Sequence, residues 1–197
     1  KIQQKVYARL LNHIQQKMNL KLAKKKAHLF ADLHDMSSAT KVQQSNAKFT
    51  VLEVGAGAGA NFRFFPEGID VICLDPNPYF DVYIKKNLSD FPHVNLKQFV
   101  VGFAEDMSQV PDDSVDAVVC TLVLCSVTDV VASLKEIRRI LKPGGKFFYL
   151  EHVQADEGTF DHRLQHWFNP FWVAISDGCQ LNRNTASLIK DTGFSSV

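Results

Sequence analysis

The stretch Phe49-Thr50-Val51-Leu52-Glu53-Val54-Gly55-Ala56-Gly57-Ala58-Gly59-Ala60-Asn61 decides the fold. Residues 49–54 read as a strand. Three glycines then stand at alternate positions, and a helix is expected near Ala58–Phe65. Glycine lets backbone N–H groups approach a ligand because no Cβ intervenes. Asp75 lies 20 residues past Gly55, at the end of a second short apolar run, Val71–Leu74. A carboxylate there can accept both hydroxyls of a ribose. Loop, spacing and acid together point to a nucleoside cofactor.

Outward from this core the same alternation continues. Pro78 suits the first turn of a helix running to about Leu88, and Val94–Val101 and Ala117–Thr121 read as strands. Val130–Leu141 reads as a helix, with Leu134, Ile137 and Leu141 on one side and Lys135, Arg138, Arg139 and Lys142 on the other. Lys142-Pro143-Gly144-Gly145 stops it, and Lys146–Leu150 is a fifth strand. Repeated βα units predict an α/β fold, a Rossmann-like, doubly wound, mostly parallel sheet with helices on both faces. Ahead of it, residues 2–30 read as a basic amphipathic helix with Ile2, Val6, Leu10, Ile14 and Met18 as its apolar stripe, and Ser37–Asn46 reads as a polar turn. The expected division is a helical arm over 1–36 and a cofactor-binding domain over 37–197.

The 197 residues are 46% hydrophobic and 22% charged, ordinary values for a globular chain. No apolar run approaches the ~20 residues of a membrane span. Charge divides unevenly. Residues 1–31 carry eight Lys and Arg and no acid, whereas residues 32–197 carry 14 basic and 21 acidic side chains. A basic arm on an acidic body fits an anionic membrane surface, not a nucleic acid, because the body shows no basic reading patch. The four Cys, at 73, 120, 125 and 179, lack CxxC or zinc-finger spacing and read as reduced thiols. Cys73 and Cys120 read as core, and Cys125 as pocket lining. His162 and His166 lie four apart on an expected helix, Phe160–Phe168, but no third ligand is evident, so no metal is expected. Trp167, Phe168, Phe171 and Trp172 form an aromatic cluster beyond the fifth strand, read as a lid or an apolar wall.

The glycine spacing is G-x-G-x-G, and Glu53 stands two residues before it. A carboxylate there repels a pyrophosphate and suits a ligand carrying an amino group and a sulfonium, as S-adenosylmethionine does. Asp75-Pro76-Asn77-Pro78 and the Lys-Pro-Gly-Gly turn resemble class I methyltransferases. The segments Phe99-Val100-Val101, Glu105-Asp106-Met107, Val119 to Val127, Glu151-His152-Val153 and Asp177-Gly178-Cys179 extend the likeness. Together they resemble the microsomal alkyl-thiol S-methyltransferase family over roughly residues 22–194. That resemblance implies methyl transfer from S-adenosylmethionine to small aliphatic thiols, including hydrogen sulfide. It also implies attachment to the cytoplasmic face of the endoplasmic reticulum and lipid droplets, in a chain that here lacks an N-terminal anchor and the last two strands. It assigns Glu53, Gly55, Gly57 and Gly59 to the methionine moiety and Asp75 and Asn77 to the ribose. Ala104 and Glu105 fall to the adenine side, and Thr121 and Leu122 to the cleft. Phe103 stands where many class I enzymes carry an adenine-binding Asp.

A thiol reacts as its thiolate, so a base helps at neutral pH. His152, just past the fifth strand at the ligand-binding edge, is the expected base. A quinone or phenol methyltransferase, or a non-catalytic cofactor-binding protein at the membrane surface, are the alternative readings.

Overall fold

In a computed structural model the described residues are 2–43 and 48–195. The order of elements is α1 (Ile2–Gln43), β1 (Thr50–Val54), β2 (Ile69–Asp75), α2 (Phe80–Leu88), β3 (Val94–Val101), β4 (Val115–Thr121), α3 (Val130–Ile140), β5 (Leu141–Leu150), α4 (Phe160–Ile175) and α5 (Thr185–Asp191). Among the described residues the five strands form one sheet, ordered β3-β2-β1-β4-β5, with every pairing parallel.

Side-chain alternation sends successive residues of each strand to opposite faces. Leu52, Val54, Ile72, Leu74, Val118 and Cys120 pack under α3 and α5 with Leu134, Ile137 and Ile189. Val51, Val71, Cys73, Ala117 and Val119 pack on the other face with Phe30 and Leu33 of α1 and Ile84 of α2. Both faces are covered, which is why the strands read as near-continuous apolar runs. Asp129 caps α3 by accepting from the Ala132 N–H at 3.0 Å.

Three expectations need correction. No α-helix follows the glycine loop: only a short 3-10 turn forms, Phe62–Phe64. Gly55, Gly57 and Gly59 all have positive φ, at 61°, 54° and 81°, so the chain cannot enter a right-handed helix until they are passed. Residues 37–43, expected as a turn, continue α1, which thus crosses the expected boundary at 36/37; residues 44–46 of that turn lie outside the described residues. Finally, the apolar stripe of α1 is not its packed face. Ile2, Val6, Leu10 and Ile14 are exposed. The buried positions are Ala8, Asn19, Lys26, Phe30, Leu33 and Ser37. A strict i, i+4 series advances about 40° per step around a 3.6-residue helix and winds off any one face. Mixed steps of 11, 7, 4, 3 and 4 hold the line, and polar residues occupy half of it.

Leu33 is fully buried and Val6 is 61% exposed. Leu33→Ala should therefore cost about 2–5 kcal/mol, and Val6→Ser within about 0.5 kcal/mol, in urea unfolding. Equal, small effects would show that α1 is no part of the core.

Candidate functional site

The strand order reverses between β1 and β4, and in such sheets ligands bind beyond the carboxyl ends of the strands at that point. Glu53 lies there on β1, on the face covered by α1, and is 2% exposed. Its Oε1 accepts from the Asn61 amide at 2.7 Å, and Asn61 also donates to Thr121 Oγ1 at 3.0 Å. Glu53 Oε2 and Asn61 Oδ1 are buried with no hydrogen-bond partner among the described residues. Burial pushes the Glu53 carboxyl up to about 7, while the Asn61 hydrogen bond and the charge of Lys26 pull it down. Lys26, one of the eight basic residues of the arm that was expected to face a membrane, is buried and donates to Asn19 Oδ1 at 2.8 Å. Desolvation lowers its pKa.

The glycine loop is built for close approach. A Cβ at Gly55 would meet the Val123 side chain at 2.4 Å, and one at Gly57 would meet Gln15 of α1 at 2.5 Å. Asp75 Oδ2 accepts from the Gly57 N–H and Oδ1 from the Asn77 N–H, each at 2.9 Å. Desolvation raises the Asp75 carboxyl to about 6 against those two donors. Asn77 donates to the Gln4 carbonyl at 2.9 Å. Gln15 accepts from the Ala58 N–H, and Asn19 donates to the Ala60 carbonyl at 2.7 Å. Thus α1 lies over the loop as a cap. Its Tyr7, pushed up to about 12 mainly by burial, also feels Asp177, Asp75, Cys179 and Cys125.

The sequence-derived cofactor residues divide. Glu53, Gly55, Gly57, Gly59, Asp75, Asn77 and Thr121 converge on one cleft edge. Leu122 follows β4 with a φ of 60°, a left-handed backbone rare for a bulky residue, and its N–H bonds to the Leu150 carbonyl at 2.8 Å. Ala104 is buried under the α3 face. Glu105 turns elsewhere: it accepts from the Thr128 and Asp129 N–H groups at 2.6 and 3.2 Å, fixing the entry to α3. Phe103 is exposed.

β4 and β5 are parallel neighbours, so the residues past their ends share one edge. Glu151 and His152 point apart there. Glu151 Oε1 accepts from the Val123 and Leu124 N–H groups at 2.9 and 3.0 Å and shapes the loop after β4. His152 Nδ1 lies 3.5 Å from Cys179 Sγ, and Cys179 Sγ lies 3.2 Å from Cys125 Sγ. The hydrogen bond with Cys125 leads in lowering Cys179, to about 4, with His152 adding to it. Cys125 is raised in turn, and His152 is raised by Cys179. The pull is thus toward thiolate at Cys179, with Cys125 and His152 favoured to hold protons. Sequence reading placed His152 and Cys125 near this edge from their strands; Cys179, 54 residues from Cys125, stood only in a segment of family likeness, with nothing to bring it here. It also left the cluster without a role. Trp167 and Phe171 of the aromatic cluster are exposed, and α4 buries no residue.

The site fits S-adenosylmethionine on its own chemistry. The orphaned Glu53 oxygen suits the amino group, and the remaining lone pairs of Asp75 suit the ribose. A methyltransferase-domain family profile matches residues 52–149. Thiol S-methyltransferase TMT1B of Homo sapiens is 42% identical over 181 residues, which are 92% of this chain and 72% of that protein. Thiol S-methyltransferase TMT1A of the same organism is 41% identical over 91% of this chain and 71% of its own length. Among solved structures, YcgJ of Bacillus subtilis aligns at a TM-score of 0.57 and 21% identity, over 81% of this chain and 67% of that one. The last likeness bears on the fold alone.

The Glu53 result carries a sign. Unfolded, the carboxyl loses its proton near 4.5; folded, it keeps it to about 7. In that window the folded state holds the extra proton, so the contribution of Glu53 to stability falls as pH rises through it. At about 1.4 kcal/mol per unit the loss is on the order of 3 kcal/mol by pH 8. Glu53→Gln should match the parent near pH 4.5 and melt several degrees higher at pH 8 without ligand. It should also bind S-adenosylhomocysteine about 10- to 100-fold more weakly by calorimetry. A lower melting point at pH 8, or unchanged affinity, would contradict this assignment.

Proposed function

We propose, starting from a chain that belongs to the thiol S-methyltransferase family, that this protein methylates the sulfur of small aliphatic thiols using S-adenosylmethionine. The observation that carries the reading is the meeting of two sites on one sheet edge: the Glu53–Asp75 cofactor cleft and the Cys179–His152 pair. Bound S-adenosylmethionine supplies an electrophilic methyl on a sulfonium. The protein's own part is alignment and proton removal. Positioning of reactants can be worth ~7–11 kcal/mol of barrier. Glu53 and Asp75 anchor two ends of the cofactor, and α1 closes over the loop and limits water. His152 of this pair, as the neutral imidazole, can take the proton of an acceptor thiol, leaving the acceptor as thiolate in the cleft. His152, exposed at the edge, is the member that an incoming acceptor reaches first.

We also propose that α1 seats the protein on a membrane surface, at the cytoplasmic face of the endoplasmic reticulum and lipid droplets. The exposed Ile2, Val6 and Leu10 with the exposed Lys5, Arg9, Lys21, Lys24 and Lys25 support contact with an anionic interface. No helix among the described residues is long and apolar enough to cross a membrane.

Methyl transfer to a panel of alkanethiols, hydrosulfide and phenols tests the first reading. Thiols should be methylated and phenols should not. His152→Gln should lower thiol turnover by ~10²–10⁴ with cofactor affinity retained. Product from phenols alone would overturn the thiol assignment, and wild-type turnover in His152→Gln would remove that residue from the chemistry.

For the second reading, Lys21→Glu, Lys24→Glu and Lys25→Glu together should weaken binding to phosphatidylserine vesicles by about 1 kcal/mol per charge at low salt. The difference should vanish at high ionic strength. Unchanged partitioning would detach the arm from the membrane. Lys26 is excluded because its ammonium is buried over the site.

A further inference from the structure

Three side chains with soft or borderline donor atoms meet at the carboxyl edge of β4 and β5. Cys125 lies four residues past β4, His152 two past β5, and Cys179 follows a tight turn with Asp177 and Gly178 at positive φ. Cys125 Sγ, His152 Nδ1 and Cys179 Sγ all lie within 4.8 Å of one another. Around a tetrahedral zinc, with Zn–S near 2.3 Å and Zn–N near 2.0–2.1 Å, such atoms stand about 3.5–3.8 Å apart. The observed 3.2 and 3.5 Å are within about half an ångström of that.

We propose that Cys125, His152 and Cys179 form a Zn²⁺ site in which the protein supplies three ligands and leaves the fourth position open toward the acceptor side of the cleft. Two thiolates and an imidazole are the donor set that zinc prefers over magnesium or calcium. The surroundings hold the ligands in place. The Gln180 N–H bonds to the Cys125 carbonyl at 2.9 Å, tying the two cysteine loops together. The Trp172 indole N–H is buried without a hydrogen bond of ordinary geometry, and its dipole favours a thiolate at Cys179. Outer groups of this kind orient metal ligands. His152 is exposed whereas both cysteines are buried, so an ion has an entry path on the histidine side.

Metal binding releases the protons that Cys125 and the Cys179–His152 pair still carry. A thiol then takes the fourth position by displacing water: its S–H proton goes to solvent and a sulfur–zinc bond forms. The metal would so deliver the acceptor as thiolate, the task that the Cys179–His152 pair performs without it. The occupant of the fourth position rests on the proposed thiol acceptor; the metal itself rests on ligand geometry alone.

The test is a Co²⁺ and Zn²⁺ titration of the reduced, chelator-stripped protein, read by absorption without cofactor. Co²⁺ should develop thiolate-to-metal charge transfer and strong tetrahedral ligand-field bands up to one equivalent, and Zn²⁺ should abolish them. Outer-shell losses alone cost ~10–100-fold in affinity, so Cys125→Ser, Cys179→Ser and His152→Ala should each weaken Zn²⁺ binding by at least about 100-fold. His166→Gln, at the other histidine pair, should not. His152 is exposed, so its variant keeps the test valid if a cysteine variant fails to fold. Ethanethiol should shift the Co²⁺ bands. Weak octahedral bands, or full Zn²⁺ affinity in His152→Ala, would overturn the site. Unshifted bands with ethanethiol would overturn the open position. Because no methyl transfer is read, failure here is separate from failure of the thiol methyltransferase reading.

Discussion

A buried carboxyl at the point where the strand order reverses is the constraint that the rest of the site answers to. Glu53 cannot ionise cheaply in a dry sheet, and its second oxygen has no protein donor. Three features address that cost: Asn61 donates to its first oxygen, Thr121 holds Asn61, and Lys26 lends a positive charge from α1. The second oxygen is left for the amino group of the proposed cofactor. The site is thus arranged at the expense of the empty protein's stability, which is why its carboxyl is held so far above the ordinary range.

The same constraint explains α1. A helix that only packed on the sheet would present leucine and isoleucine along its whole inner face. Instead α1 is apolar at Phe30 and Leu33, where it covers the sheet, and polar at Gln15, Asn19 and Lys26, where it covers the loop. Nearer its start, Ala8, Tyr7 and Leu11 pack against Phe80, while Ile2, Val6, Leu10 and Ile14 are exposed. One helix therefore joins core, loop cap and outward face.

Parallel pairing brings the cysteine–histidine cluster and the Glu53 loop to one edge of the sheet. Because β1, β4 and β5 run the same way, the residues just past their ends gather on one edge. Glu151 uses this to brace the loop after β4, which frees His152 to turn toward the cysteines. The two neighbours divide the labour because successive side chains of an extended segment point apart.

The strands, their parallel order class, the glycine loop and Asp75 were legible from sequence, since each is written in a local pattern: period-two burial, alternate glycines, an acid at fixed spacing. The placement of Glu53 and His152 at the ends of β1 and β5 was legible too. The helix expected after the loop failed because three positive-φ glycines outweigh the helix propensity of the alanines between them. The face that α1 packs was not legible, because its line runs through Asn19 and Lys26, and polar residues count as buried only once a partner such as Glu53 is in place. Glu105 carried a family position, yet its carboxylate answered the nearer unpaired N–H groups at the start of α3. Cys125, His152 and Cys179 lie far apart in the chain and have no shared spacing. Only the closure of β5 against β4, and the turn at Asp177-Gly178, brought their donor atoms together.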